Sequence, residues 1–140
     1  MANLAEIIKT NPNISLAYKY FQTTGLIDSF STDDIFTLFI PTDGAFEKQI
    51  NSLGLTKEEF INDTKKLHEI LNYHISKGEK FFSKDLKVEK EVNTLSDQTL
   101  DLSVENDTFT VNGVNVCQRD IVADNGVLHL LDRVLIPIFS

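Results

Sequence analysis

The sequence predicts one α+β domain, with helices gathered in its first half and antiparallel strands in its second. Three observations carry this. In "KKLHEILNYHI" (65–75), Leu67, Ile70, Leu71 and His74 recur at i, i+3, i+4 and i+7, the apolar stripe of an amphipathic helix. In "FTVNGVNV" (109–116), Asn112-Gly113 separates two alternating runs, the signal of a two-residue hairpin. In "TLDLSV" (99–104), Leu100, Leu102 and Val104 alternate with polar residues, as in a half-buried strand.

The elements follow in order. Leu4, Ile7 and Ile8 share one face of a first helix, which Asn11-Pro12 ends. Ile14, Ala17 and Phe21 continue the pattern in a second helix that stops near Gly25, and Leu26, Ile27 and Phe30 form a short apolar turn packing back onto it. "IFTLFIP" (35–41) is a buried strand closed by Pro41. Thr42 or Asp43 then caps a new helix, a general-base role for Asp43 being the alternative. "TKEE" (56–59) is a capping box that opens the helix carrying Phe60.

The stripe over 67–74 turns His74 into the core and leaves Tyr73 beside it, its hydroxyl able to reach a partner at the surface. His68 lies six residues before His74, about 240° around the helix, so the two cannot share a metal ion. The hairpin register sets Val111 opposite Val114 and Phe109 opposite Val116, and residues 99–104 complete a three-stranded meander. "RDIVAD" (119–124) and "GVLHLLDRVLIP" (126–137) supply the last strands, the latter apolar on both faces and therefore central.

The bulk numbers bound the function. A chain of 140 residues makes one domain, residues 1–140, with a core of its own. The single cysteine, Cys117, allows no intrachain disulfide and no cysteine-based metal cluster. Net charge is −8, and residues 91–140 hold eight acids against two arginines. The lysines of residues 61–90 have no aromatic interleaving suited to base stacking, so they read as a solvated face, and nucleic acid binding is not expected. No apolar run is long enough to span a bilayer. The N-terminus shows no secretory signal, which places the chain in the cytoplasm if it is complete, and outside it or in the periplasm if a signal was removed.

"TLFIPTDGAFEK" (37–48), "LNYH" (71–74) and "NGVLHLLDRVLIP" (125–137) together resemble, in order and spacing, the three signature segments of the fasciclin domain family, from about Asn3 to Phe139. The resemblance implies a fasciclin-like β-sandwich wedge of about seven strands, with helices packed along one side. It also implies a non-catalytic, adhesion-type protein–protein interaction module, a monomer by itself, whose protein partner the residues do not identify. The partner-contact positions it suggests are Asp120 and Ile121 before the last segment, and Tyr73 and His74 in the second. Asp124 joins them as an acid that would favour a basic partner. The alternative is an intracellular accessory subunit of a larger bacterial assembly, such as a cyanobacterial NAD(P)H-dehydrogenase-like CO2-uptake complex.

Catalysis has little to work with. There is no G-x-S-x-G elbow for a hydrolase, no phosphate-binding glycine loop and no H-E-x-x-H spacing, so no catalytic residue, cofactor or metal is expected. His129 shares a strand face with Val127 and Leu131. It is predicted to be a structural residue that ties the strand to a neighbouring loop, because a buried imidazole needs partners for its nitrogens.

Overall fold

Asn3 opens the fold as a helix cap, its side-chain oxygen accepting the Glu6 amide, and α1 runs Leu4–Thr10 until Asn11 ends it ahead of Pro12. α2 (Ser15–Thr24) stops at Gly25, whose φ of 79° is the left-handed conformation that closes many helices. A 3-10 helix over Leu26–Ser31 then buries Phe30, as the apolar turn predicted. The computed structural model describes residues 2–86 and 89–138. Lys87 of the lysine-rich stretch and Phe139 at the end of the resemblance lie outside the described residues.

Three further helices follow: α3 (Asp43–Ser52), α4 (Lys57–Asn62) and α5 (Thr64–Asn72). Thr42 caps α3 by accepting the Ala45 amide at 3.2 Å. Asp43 serves a different helix. Its carboxylate accepts the Ser15 hydroxyl at 2.6 Å and the Leu16 amide at 2.7 Å, supplying to α2 the cap that Ile14 has no side chain to give. Thr56 and Glu59 form the predicted capping box at the start of α4.

The strands are β1 (Phe36–Pro41), β2 (Ile75–Lys77), β3 (Glu89–Asn93), β4 (Thr99–Glu105), β5 (Thr108–Val111), β6 (Val114–Ala123) and β7 (Gly126–Leu131). Their order across the sheet is β2-β1-β7-β6-β5-β4-β3. The two ends curl toward each other until the Leu95 amide, just past β3, donates to the Ile75 carbonyl of β2 at 3.0 Å. The result is a nearly closed barrel of seven strands with helices alongside.

Two cores follow from the alternation of side chains along β1 and β7. Leu38, Ile40, Leu128 and Leu130 face the helices and pack with Leu4, Phe21, Phe30 and Phe46. Phe39 and Leu131 face inward and meet Leu100, Leu102, Phe109 and Val111 from the opposite strands. Both strands are buried along their whole length, which is why each reads as an unbroken apolar run.

Four features depart from the sequence expectations. β1 and β7 pair in parallel, so the sheet is mixed and not wholly antiparallel. "RDIVAD" is no separate strand but the end of β6, which accommodates two register shifts on its way along β7. β7 ends at Leu131, and residues 132–138 continue without regular structure. α5 ends at Asn72, with Tyr73 as its C-cap, so His74 lies beyond the helix; its burial comes from the turn into β2.

Candidate functional site

The Tyr-His pair and His129 are buried polar groups of the apolar signature segments, and each is fully wired. His74 is 1% exposed. Its Nδ1 donates to the Ile70 carbonyl at 2.7 Å, and its Nε2 accepts the Leu135 amide at 3.0 Å. That pairing fixes the neutral ring with the proton on Nδ1. Burial pushes the ring's pKa down to about 4, against the Ile70 carbonyl, which favours the protonated form. His74 therefore fastens the C-terminal segment to the end of α5.

Tyr73 is 7% exposed and belongs to the barrel core. Its hydroxyl donates to the Thr99 carbonyl at 3.2 Å and accepts from Asn112 Nδ2 at 2.9 Å. Asn112 in turn accepts the Asp101 amide at 2.8 Å, so the tip of the β5–β6 hairpin is tied to β4 and to Tyr73 together. The hydroxyl thus meets protein at both bonds and not a partner at the surface. Tyr73→Phe is expected to lower stability by about 1–2 kcal/mol through the two lost bonds. Urea melts check this, and an unchanged midpoint would show the hydroxyl to be solvated.

His129 is fully buried between Phe39, stacked at 5.6 Å, and Phe109, edge-on at 4.9 Å. Its tautomer is the opposite one: Nε2 donates to the Phe81 carbonyl at 2.7 Å and Nδ1 accepts the Asp120 amide at 3.0 Å. Burial holds its pKa below the ordinary imidazole value and Arg119 adds to this, while the Phe81 carbonyl and the Asp120 carboxylate pull the other way. The predicted tie to a neighbouring loop is the bond to Phe81.

Asp120 sits at φ 57° in the left-handed region, at the second register shift of β6. Its half-buried carboxylate accepts the Ser83 amide at 2.8 Å through Oδ1 and the Ser83 hydroxyl through Oδ2. Ser83, Asp120 and His129 are the residue types of a hydrolytic triad, but they are wired otherwise. Ser83 donates to the carboxylate and not to the imidazole, and His129 Nε2 is already committed to a backbone carbonyl. As arranged, the trio holds residues 81–83 against the barrel.

The suggested contact positions thus divide. Tyr73 and His74 offer a partner almost no surface in this conformation. Ile121 is half-buried against the helical core. Asp124 is exposed, and Val122, which was not among the predicted positions, is 47% exposed between them. Lys80 reaches the same corner, its Nζ 3.5 Å from the Asp124 carbonyl. Val122 was missed because it lies in an apolar run, and its exposure depends on how β6 bends.

Asn125, at the entry to β7, is a buried junction. Its buried amide accepts the Leu4 amide at 2.9 Å and donates to the Phe30 carbonyl at 2.7 Å and the Thr32 carbonyl at 3.2 Å. Among the described residues, no three or more His, Cys, Asp or Glu side chains gather to hold a metal. No described helix is long and apolar enough to cross a membrane.

Comparison with known proteins adds family and fold. The fasciclin domain family model matches residues 12–137. Pig transforming growth factor-beta-induced protein ig-h3 is 30% identical over 98% of this chain, and human periostin 31% identical over 96%. The chain spans only 20% and 16% of those two proteins, respectively. An uncharacterized Synechocystis protein, sll1735, is 29% identical, with 97% of this chain matching 98% of its length. Among solved structures, the domain pair of the insect cell adhesion molecule fasciclin I superposes with a TM-score of 0.84 at 22% identity, covering 97% of this chain and 51% of that one.

Proposed function

The chain belongs to the fasciclin domain family, whose domains generally serve as adhesion or protein-interaction modules, and from that premise we propose that it binds a protein partner through the corner where β6 turns into β7. Val122 carries this proposal. It is a large aliphatic side chain 47% exposed on an otherwise well-filled barrel, with the acidic Asp124 two residues away. An apolar anchor inside a polar rim is the usual anatomy of a protein contact. Asp120 and Ile121 support it from behind, one holding Ser83 and the other packed on the helical core. Tyr73 contributes indirectly as part of the barrel core, and His74 by fastening the C-terminal segment to α5.

The test is capture on immobilised wild-type protein from the cells that make it, followed by titration of the identified partner. Val122→Glu/Asp124→Lys is expected to weaken affinity at least ~10-fold, as loss of a central anchor does, while circular dichroism stays unchanged. Leu53→Glu provides a control in a groove that neither Val122 nor Asp124 lines. Leu53 is 52% exposed and lines a groove of about 730 Å³ with Phe60, Leu67 and Ile136. Full affinity in the corner variant with loss in Leu53→Glu would move the contact to that groove.

A further inference from the structure

We propose that residues 79–86 form an acid-released strap, closed over the barrel while His129 is neutral and opened when that ring takes a proton. Three barrel side chains hold it. Thr37, itself fully buried, donates through Oγ1 to the Glu79 carbonyl at 2.7 Å and accepts the Phe81 amide at 2.9 Å. His129 donates to the Phe81 carbonyl, and Asp120 accepts both donors of Ser83. The strap closes the inner core with Phe81 and Leu86.

The His129 and Asp120 anchors are wired to each other, and this makes the closure conditional. Nδ1 of His129 is an acceptor, facing the Asp120 amide at 3.0 Å. A second proton on the ring turns Nδ1 into a donor set against that N–H. The nearest anionic acceptor is then Asp120 Oδ1 at 3.9 Å, the same oxygen that holds the Ser83 amide. An Asp120 carboxylate drawn to the imidazolium is drawn away from the strap.

The surroundings oppose a proton in the closed state. β1 and β5 present only the Phe39 and Phe109 rings. From β6, Arg119 lies over the Phe109 ring at 6.0 Å, and from β3, Lys90 lies over the Phe81 ring at 5.6 Å. Among the described residues, two cations thus flank the aromatic shell, and Asp120 is the one anion against the histidine. On the strap itself Glu79, Lys84 and Asp85 are exposed and screened by water, while Lys80 points to Asp124. Lifting the strap admits water to the ring, which then titrates near its ordinary value, so proton uptake and opening occur together. Linkage makes the opening equilibrium rise with acid by up to about tenfold per pH unit, or about 20-fold between pH 7 and pH 5.

Amide hydrogen exchange by NMR on the intact protein measures this directly. Protection at Ser83 and Asp85 is expected to fall about 20-fold from pH 7 to pH 5 relative to Leu100 and Leu102 in β4. The interval stops above the ordinary aspartate range, and the His129 ring signals should remain those of the neutral ring across it, because the protonated, open form stays the minority. His129→Gln, which retains an N–H for the Phe81 carbonyl without a titrating group, should abolish the pH dependence. If that variant does not fold, the pH slope of strap exchange relative to β4 exchange in the wild type decides. Strap and sheet amides losing protection in parallel, a strap indifferent to pH, or unchanged acid release in a folded His129→Gln would each overturn the proposal.

Discussion

Gly126→Ala is expected to destabilise the protein by about 4 kcal/mol or more, a large share of a typical domain's stability. A Cβ at this position would stand 2.1 Å from the Phe36 carbonyl oxygen, 3.1 Å from its carbon and 2.7 Å from Leu4 Cδ1. Leu4 can rotate away, but the carbonyl belongs to the backbone of β1, paired in register with Gly126. Relief requires the parallel strands to part, which strains the Phe36 amide bond to the Asn125 carbonyl at 3.0 Å and the buried ladder beyond it. Gly25→Ala is the control. Its Cβ would meet nothing within 4 Å, so only the positive φ is penalised, at about 1 kcal/mol. Equal losses in urea melts of the two variants would refute the close approach as the cause.

The second large effect is acid destabilisation through His74. Its folded pKa of about 4 lies below the ordinary 6.5, so between those values the unfolded chain binds a proton that the native ring refuses. Stability must therefore fall as pH drops through that window and level off below it. The size is about 3 kcal/mol, from ~1.4 kcal/mol per pH unit, and His129 is shifted in the same direction. Urea midpoints from pH 7 to pH 4 measure the slope. His74→Gln should start lower, with the Leu135 amide or the Ile70 carbonyl less well met, but should lose less with acid. A wild-type curve flat between pH 6.5 and 4.5 would show that both histidines are protonated in the native state.

Much of this architecture was legible in the residues. The capping box at Thr56, the hairpin at Asn112-Gly113 with φ of 51° and 79°, and the alternation along Leu100 and Leu102 are local matters. Each is set by groups only a few residues apart, and a reader of the chain has all of them in view. The burial of His129 followed from the apolar run around it. The fasciclin resemblance, carried by three segments at fixed spacing, agrees with the family model that spans residues 12–137.

What only the tertiary structure decided concerns partners distant in the chain. Asp43 carries the mark of a helix start, yet the helix it caps begins 28 residues earlier, at Ser15. Tyr73 has the form of an interface residue, but its hydroxyl is spent on Thr99 and on Asn112, 39 residues away. Asp120 and Ile121 form a conspicuous pair, yet one is engaged by Ser83 and the other packs on the helical core, leaving Val122 and Asp124 as the reachable surface. Periodicity states which face of an element is apolar, and capping chemistry states where it begins. Neither states which distant carbonyl or amide a polar side chain will meet, because that depends on how the strands curl and where β6 shifts register. The sequence therefore determined the elements and their buried faces, and the closure of the barrel determined which polar side chains were left exposed.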